Sequence, residues 1–184
     1  MNNYFNKKRC NWVNLKNKKY VNYHDNEWCV PCYDDKKIFE YLTLEIFQAG
    51  LSYEIILNKR DNFRKAFDNF NYLKIAKYNS DDISRLLNDK SIIRNKRKII
   101  ATINNAKAFI KIIEKYNSFS NYIWGFTHTT IYETGKSSSK LSDIVSKELK
   151  SNNFSFIGSV TCYSFLQAIG IINSHETNCF KYKY

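Results

Sequence analysis

The chain has 184 residues, of which 43% are hydrophobic and 16% aromatic; this excludes two full-sized domains and a disordered chain. Five glycines and one proline are too few for collagen-like, linker-rich or all-β proteins, which need frequent turn residues, so a helical chain is expected. The formal net charge of +12 favours a polyanionic partner such as nucleic acid or an anionic membrane surface, although a compositional bias toward Lys and Asn would explain much of it equally well.

The N-terminal segment carries charged residues but no apolar run after them that could act as a signal peptide. No apolar stretch reaches the roughly 18 residues needed to cross a membrane, so we expect a cytoplasmic protein with no membrane partner. Five cysteines are an odd number in a chain large enough to fold by packing, which favours metal binding or burial over a disulfide framework. Cys29 and Cys32 could form a redox pair or half a zinc site, but neither a second Cys-x-x-Cys pair nor a βαβ pattern accompanies them.

Apolar residues at three- and four-residue spacing predict a first helix over about 35–48, capped by Asp34 or Asp35. Glu45 lies on this helix among apolar residues, which suggests a functional acid; an exposed glutamate near a helix end is the plainer alternative. Gly50 and the capping residue Ser52 interrupt the pattern, and a second helix is predicted from residue 53.

Ser80 and the two aspartates after it predict the start of a short helix, with Ser80 as its cap, and a periodic pattern predicts a long helix over about 96–116. The connection between them, residues 86–99, is called here the basic hairpin; its cations are Lys90, Arg94, Lys96, Arg97 and Lys98. These charges and the amides at the start of the long helix could bind phosphate, or the segment could be a solvated connector.

The segment 127–140 is rich in Thr, Ser and Gly and is predicted to be a long surface loop in which variation is harmless. Helical patterns follow over about 141–150 and 160–171, with possible ends at Asn152-Asn153 and Gly170. No internal repeat occurs, and no strand pattern is strong enough to predict a sheet.

His175 and Cys179 are four residues apart, which places both on one face of a helix or helical turn. Together with Cys10 and His24 they supply two thiolates and two imidazoles, the ligand set of a tetrahedral zinc. Four protein ligands leave no position for water, so one such zinc per chain would be structural and would join the two termini. Ordinary histidines and buried cysteines are the alternative.

Several motifs occur together and in the order of a known family: Arg9 to Trp12, Tyr23 to Trp28, Leu44-Glu45 with Gln48 to Ser52, Ile92 to Asn95, and Thr161 to Phe180. On these motifs the chain resembles the 3-methyladenine DNA glycosylase I family. The resemblance implies an all-α fold of the helix-hairpin-helix glycosylase superfamily, one catalytic domain over 1–184, a helix-hairpin-helix element over about 83–116 and zinc on the four Cys and His residues, joining 10–24 to 175–179.

The same resemblance implies a monomeric enzyme that flips 3-methyladenine out of alkylated double-stranded DNA and hydrolyses its N-glycosidic bond, which releases 3-methyladenine and leaves an abasic site. It implies Glu45 as the recognition acid at the catalytic site. The implied base-binding residues are Trp12, Tyr20, Tyr23, Tyr53 and Ser164, and the DNA-binding residues are Gly50, Leu51, Arg94, Lys96, Arg97 and Lys98.

Four positions depart from the family pattern. Tyr53 stands where Trp is usual, Cys29 and Ser91 replace Gly, and Ser174 replaces Asp. The change at Tyr53 matters most, because a smaller ring stacks less on a base. Two other functions stay open at this point: a non-catalytic zinc-containing module that binds DNA through the basic hairpin, and a thiol-redox protein that uses Cys29 and Cys32.

Overall fold

Helices make up most of residues 7–183, the part of the chain that the computed structural model describes. The α-helices are α1 (Lys18–Asn26), α2 (Asp35–Gln48), α3 (Tyr53–Ala66), α4 (Tyr72–Ile75), α5 (Ser80–Asn88), α6 (Lys96–Tyr116), α7 (Phe119–Trp124), α8 (Lys140–Ser151) and α9 (Ser159–Ala168). A 3₁₀ turn (Asp68–Phe70) lies between α3 and α4, and two short strands are β1 (Ile131–Tyr132) and β2 (Ile172–Asn173). The helical expectation is therefore confirmed for this part of the chain.

Helix α2 is the central element of the fold. Every residue from Ile38 to Phe47 is buried, and the helix packs against α3, α6, α7 and α9. Most of these residues are apolar, and placing such a helix in the interior removes the most apolar surface from water. This central position carries Glu45 into the core.

The predicted bounds of α2 and α6 and the predicted start of α3 are confirmed. The cap predicted for α5 is wrong. Asn79, not Ser80, accepts the amides of Asp81 and Asp82, and the Asp82 carboxylate accepts the Asn79 amide in return. This reciprocal pair is a capping box, which satisfies amides that the helix itself leaves unpaired.

Helix α9 ends at Ala168, three residues before its predicted end. Gly170 has a φ of +78°, and a Cβ atom built there would lie 2.4 Å from the backbone of Val30 and Pro31. Only glycine fits this close approach. Two hydrogen bonds join the same segments, because the Cys29 and Cys32 amides donate to the carbonyls of Gln167 and Ile169.

The loop after α7 is attached to the rest of the fold by a parallel pairing of β1 with β2, in which Ile131 lies opposite Ile172. The sequence pattern predicted no strand here, because two residues are too few to show an alternation. The pairing holds the loop against the segment that follows α9.

None of the helices within residues 7–183 has the length and apolarity required to span a membrane.

Candidate active site and metal centre

A pocket of about 360 Å³ opens beside the C-terminal half of α2. Its walls come from the segment before α1, α1 and the turn after it, α2, α3, α9, the loop after β1 and the segment after β2. The lining residues are Trp12, Tyr20, Tyr23, Trp28, Glu45, Gln48, Tyr53, Gly135, Lys136, Ser164, Gln167, Ser174 and Glu176. We call it the aromatic pocket. It contains all six residues that the sequence analysis assigned to base recognition.

The rings of the aromatic pocket form two groups. Trp12 lies 5.3 Å from Tyr20 and 4.8 Å from Trp28, measured between ring centroids. Tyr23 and Tyr53 form the second group, with their centroids 4.8 Å apart. Aromatic faces suit a flat ligand, and their negative faces favour a cation.

Glu45 is the buried acid of the aromatic pocket, with only 3% of its surface exposed. Burial raises its pKa to about 8, and the neighbouring Tyr53 hydroxyl opposes this rise only in part. In the free protein at pH 7 the carboxyl group is therefore mainly protonated. A cation entering the pocket would favour its ionised form.

Some pocket residues were missed by the sequence analysis. Trp28 ends the same motif as Tyr23, and Gln48 follows Glu45 by one helical turn, so position in a motif was an available signal for both. Glu176 had no such signal; the Asn11 amide donates to its carboxylate over 2.9 Å. The prediction that variation in the loop 127–140 is harmless is not met for Gly135 and Lys136, which line the pocket.

Cys10, His24, His175 and Cys179 meet beside the aromatic pocket. They form the metal cluster: all four are buried, and one ligand atom from each lies within 4.8 Å of the others. The Cys179 sulfur lies 3.4 Å from His24 Nε2 and 3.6 Å from His175 Nδ1, and the Cys10 sulfur lies 3.6 Å from His175 Nδ1. A tetrahedral zinc with ordinary bond lengths needs sulfur–nitrogen separations of about 3.5 Å, so the donor set fits this ion.

The ligand atoms are held by neighbouring groups. His24 Nδ1 lies 2.8 Å from the Asp25 carboxylate, and Arg9 donates to both oxygens of that carboxylate, which leaves His24 Nε2 directed to the cluster. Burial lowers the pKa of His24, and it lowers that of His175 to about 4, so both rings are neutral and can ligate a metal.

Cys179 lies in a turn that its own amide closes by donating to the Glu176 carbonyl, and His175 directly precedes this turn. The metal cluster also supports the aromatic pocket, because the Trp28 ring lies 4.7 Å from that of His175 and the Trp12 ring lies 5.3 Å from that of His24. A change in the cluster is thus expected to disturb the pocket.

The cations of the basic hairpin have different environments. Lys90, Arg94, Lys96 and Arg97 are exposed at the connection between α5 and α6. Lys98, assigned above to DNA binding, is buried, and its ammonium donates to the carbonyls of Phe47 (3.0 Å) and Ala49 (2.7 Å). The assignment of Lys98 to phosphate binding is therefore corrected: the residue caps the C-terminal end of α2.

Gly50 and Leu51 form the break between α2 and α3 at the edge of the aromatic pocket. Gly50 is exposed with a φ of +85°, and Leu51 is half-buried with its carbonyl bound by the Gln48 side chain over 2.9 Å. Because Lys98 binds the carbonyl of Ala49, it also stabilises the backbone at this break.

The Cys-x-x-Cys pair lacks the features of a redox site. Cys29 and Cys32 are both buried, and burial raises the pKa of each thiol, so little nucleophilic thiolate is present. The Cys29 sulfur instead accepts the Ser174 amide over 3.4 Å. These contacts indicate a packing role.

Comparison with known proteins points to one family. The family model described as methyladenine glycosylase matches residues 12–182. DNA-3-methyladenine glycosylase 1 of Escherichia coli (strain K12) is 42% identical over 182 residues, which cover 95% of this chain and 96% of that protein. The Haemophilus influenzae DNA-3-methyladenine glycosylase is 38% identical over 178 residues, 93% of this chain and 96% of that protein.

Solved structures agree with these relatives. A crystal structure of 3-methyladenine DNA glycosylase I superimposes with a TM-score of 0.91 at 39% identity, covering 96% of this chain and 100% of that one. A Staphylococcus aureus structure that addresses 3-methyladenine recognition has a TM-score of 0.87 at 34% identity, and the match covers 92% of this chain and 94% of that one. The fold described above is thus similar to theirs along nearly its whole length.

Proposed function

This chain belongs to the methyladenine glycosylase family, and from that premise we propose that it excises 3-methyladenine from alkylated double-stranded DNA by hydrolysing the N-glycosidic bond. The observation that carries the proposal is a buried acid, Glu45, in a pocket walled by aromatic rings. A non-catalytic DNA-binding module needs no such group.

Recognition follows from the charge of the damaged base. A flipped 3-methyladenine is cationic while still attached to the sugar, so it gains from the aromatic faces and from an ionised Glu45 that accepts hydrogen bonds at its edge. Neutral adenine gains less from the same groups, and its entry does not favour ionisation of Glu45. The pocket therefore discriminates by charge as well as by shape.

Excision needs little acid catalysis, because the alkylated base is already a good leaving group. Cleavage of the N-glycosidic bond moves its electron pair to the base, which leaves as neutral 3-methyladenine, and the sugar becomes an oxocarbenium-like cation. Water then adds to that cation and loses a proton, giving the abasic site. The tasks of the protein are base extrusion, selective binding and stabilisation of the charge that develops.

DNA binding is assigned to the surface near the pocket. We infer that α5, the basic hairpin and α6 form the helix-hairpin-helix element, in which Arg94, Lys96 and Arg97 bind phosphate groups of the DNA backbone. Leu51 at the exposed break would fill the gap left by the flipped base. We propose that the enzyme acts as a monomer of one catalytic domain.

We infer that the metal cluster holds one zinc per chain. Two thiolates and two imidazoles with the spacing described above suit this ion, and four protein ligands leave no position for substrate or water. When bound, the zinc supplies folding energy and orients the His24 and His175 rings that contact the pocket tryptophans. It takes no part in bond cleavage.

Release of the free base tests the proposed function. Incubation of the protein with methylated double-stranded DNA, followed by chromatography of the released bases, should yield 3-methyladenine and leave abasic sites. Undamaged DNA serves as the substrate control. Binding to methylated DNA without any released base would instead support the non-catalytic module.

The exposed cations of the basic hairpin should determine part of the salt dependence of DNA binding. Replacing Arg94 and Lys96 by Gln should reduce the slope of log affinity against log salt by about one unit for each phosphate that the protein no longer neutralises. The matched control is the double variant Lys111→Gln and Lys115→Gln, which removes two exposed charges that lie roughly 20–30 Å beyond Lys96 along α6. Equal slopes in the two double variants would show that the hairpin is a solvated surface.

A further inference from the structure

The Tyr53 hydroxyl is unusual because it is buried without a hydrogen-bond partner among the described residues. Its ring lines the aromatic pocket. A buried hydroxyl left unpaired destabilises the free protein, and such groups in folded proteins call for an explanation. A donor without a partner beside a ligand pocket suggests that the partner is formed when the ligand arrives.

The Glu45 carboxyl group and the Tyr23 hydroxyl are the two polar groups that interact with the Tyr53 hydroxyl, and of these Glu45 is the one that can become an anion. Tyr53 starts α3 and Glu45 is in the last turn of α2, so the break at Gly50 directs the two side chains into the same pocket. The hydroxyl is close enough to lower the pKa of Glu45, and burial raises the pKa of Tyr53 itself well above its ordinary value. The phenol therefore keeps its proton and can only donate to an ionised carboxylate.

Other polar groups around Glu45 come from α1 and α3. From α1, Tyr20 and Tyr23 face it with phenols whose pKa values are raised by burial. From α3, the charge of Arg60 also acts on Tyr53, but it is compensated by Glu27 (2.7 Å) and Glu40 (2.6 Å).

The remaining charged groups lie on other elements. From α6, the Lys98 ammonium is bound to the α2 carbonyls. From the loop after β1, Lys136 pairs with Glu133 over 2.6 Å, and after β2 the Glu176 carboxylate accepts the Asn11 amide. None of these contacts supplies a donor to Glu45.

We propose that Tyr53 is a positioning residue for base recognition: its hydroxyl stays unpaired in the free protein and donates to the Glu45 carboxylate once a cationic base makes that carboxylate ionise. Hydrogen bonds to an ionised carboxylate are about twice as strong as those to a neutral group, so the donor acts mainly when the correct base is bound. This inference rests on the proposed function and specifies how this chain performs it.

The test is the pH dependence of single-turnover release of 3-methyladenine by Tyr53→Phe. The alkylated nucleotide keeps its charge at every pH, so the rate should rise as Glu45 ionises. Loss of the donor should lower the rate about tenfold at pH 7 and move the midpoint of the rise up by about one pH unit, since one unit corresponds to a factor of ten. Titration of the Glu45 carboxyl by NMR, assigned with Glu45→Gln, should show the same upward shift without relying on activity.

Tyr122→Phe is the matched control, because the Tyr122 hydroxyl is also buried and unpaired but lies outside the aromatic pocket. It should leave rate and midpoint at the wild-type values, and thermal unfolding should find both variants folded. A Tyr53→Phe rate lowered equally at every pH would overturn the inference, since it indicates ring packing or direct contact with the base. If Tyr53→Phe kept the wild-type rate and an unchanged midpoint, this inference alone would be contradicted. If the wild-type protein released no 3-methyladenine, the proposed function itself would be contradicted.

Discussion

Replacing Glu45 by Gln should remove most base excision. The amide keeps the shape of the side chain but cannot become an anion against the cationic base. A buried charged contact of this kind contributes about 1.5–3 kcal/mol, which corresponds to a roughly ten- to hundredfold loss in the single-turnover rate constant. Affinity for undamaged DNA should hardly change, because phosphate contacts supply it.

The same variant should be more stable than wild type at neutral pH. Burial raises the pKa of Glu45 from its ordinary 4.5 to about 8, so the folded state binds the proton more tightly than the unfolded state. The stability that this proton binding contributes is present below about pH 4.5 and is lost as the pH rises through 8. The Gln side chain does not titrate, so the free energy of unfolding of Glu45→Gln should exceed that of wild type by an amount that grows as the pH rises from 4.5, reaching about 3 kcal/mol at pH 7.

Glu114→Gln is the control for both measurements, because it removes an exposed carboxylate from α6 without touching the pocket. Its excision rate and its denaturant midpoint should follow wild type from pH 4 to 9. If Glu45→Gln released 3-methyladenine at the wild-type rate, the recognition acid would have to be another residue. A stability difference that does not vary with pH would mean that Glu45 is ionised in the free protein.

Replacing Cys179 by Ser should release the zinc and destabilise the fold. The cluster joins the N-terminal segment at Cys10 to the C-terminal segment that holds His175 and Cys179, so its loss frees both termini at once. We expect the free energy of unfolding, measured with denaturant, to fall by at least about 3 kcal/mol. Elemental analysis of the variant should find less than one equivalent of zinc. Excision should fall too, though by a smaller factor than in Glu45→Gln, because Trp12 and Trp28 pack against the cluster histidines.

Cys32→Ser provides the comparison, since Cys32 is equally a buried free thiol but is not part of the cluster. It should retain its zinc and most of its stability. Wild-type protein without zinc, or Cys179→Ser with a full equivalent, would contradict the metal assignment.

Local pattern in the sequence was enough to predict α2, α6 and the start of α3, whereas the role of Glu45 came from the family resemblance. Helical periodicity depends on neighbours three and four residues away, so these elements can be identified without knowing the fold. The four residues of the metal cluster were also predictable as a group, because few residue types can form a zinc site and both pairs occur with suitable spacing.

Only the tertiary structure decided where several polar and loop residues act. Lys98 has the sequence context of a phosphate-binding residue, yet it binds the carbonyls at the end of α2, a helix 49 to 51 residues earlier in the chain. The loop containing Lys136 reaches the pocket through a two-residue strand pairing with Ile172 and Asn173, and Gly170 ends α9 because Val30 and Pro31 occupy the space beside it. Each of these outcomes depends on which distant segment lies opposite a given residue, and the packing of the core decides this. The neighbours of a residue in sequence determine whether it is helical, but they do not determine which groups its side chain contacts across the fold.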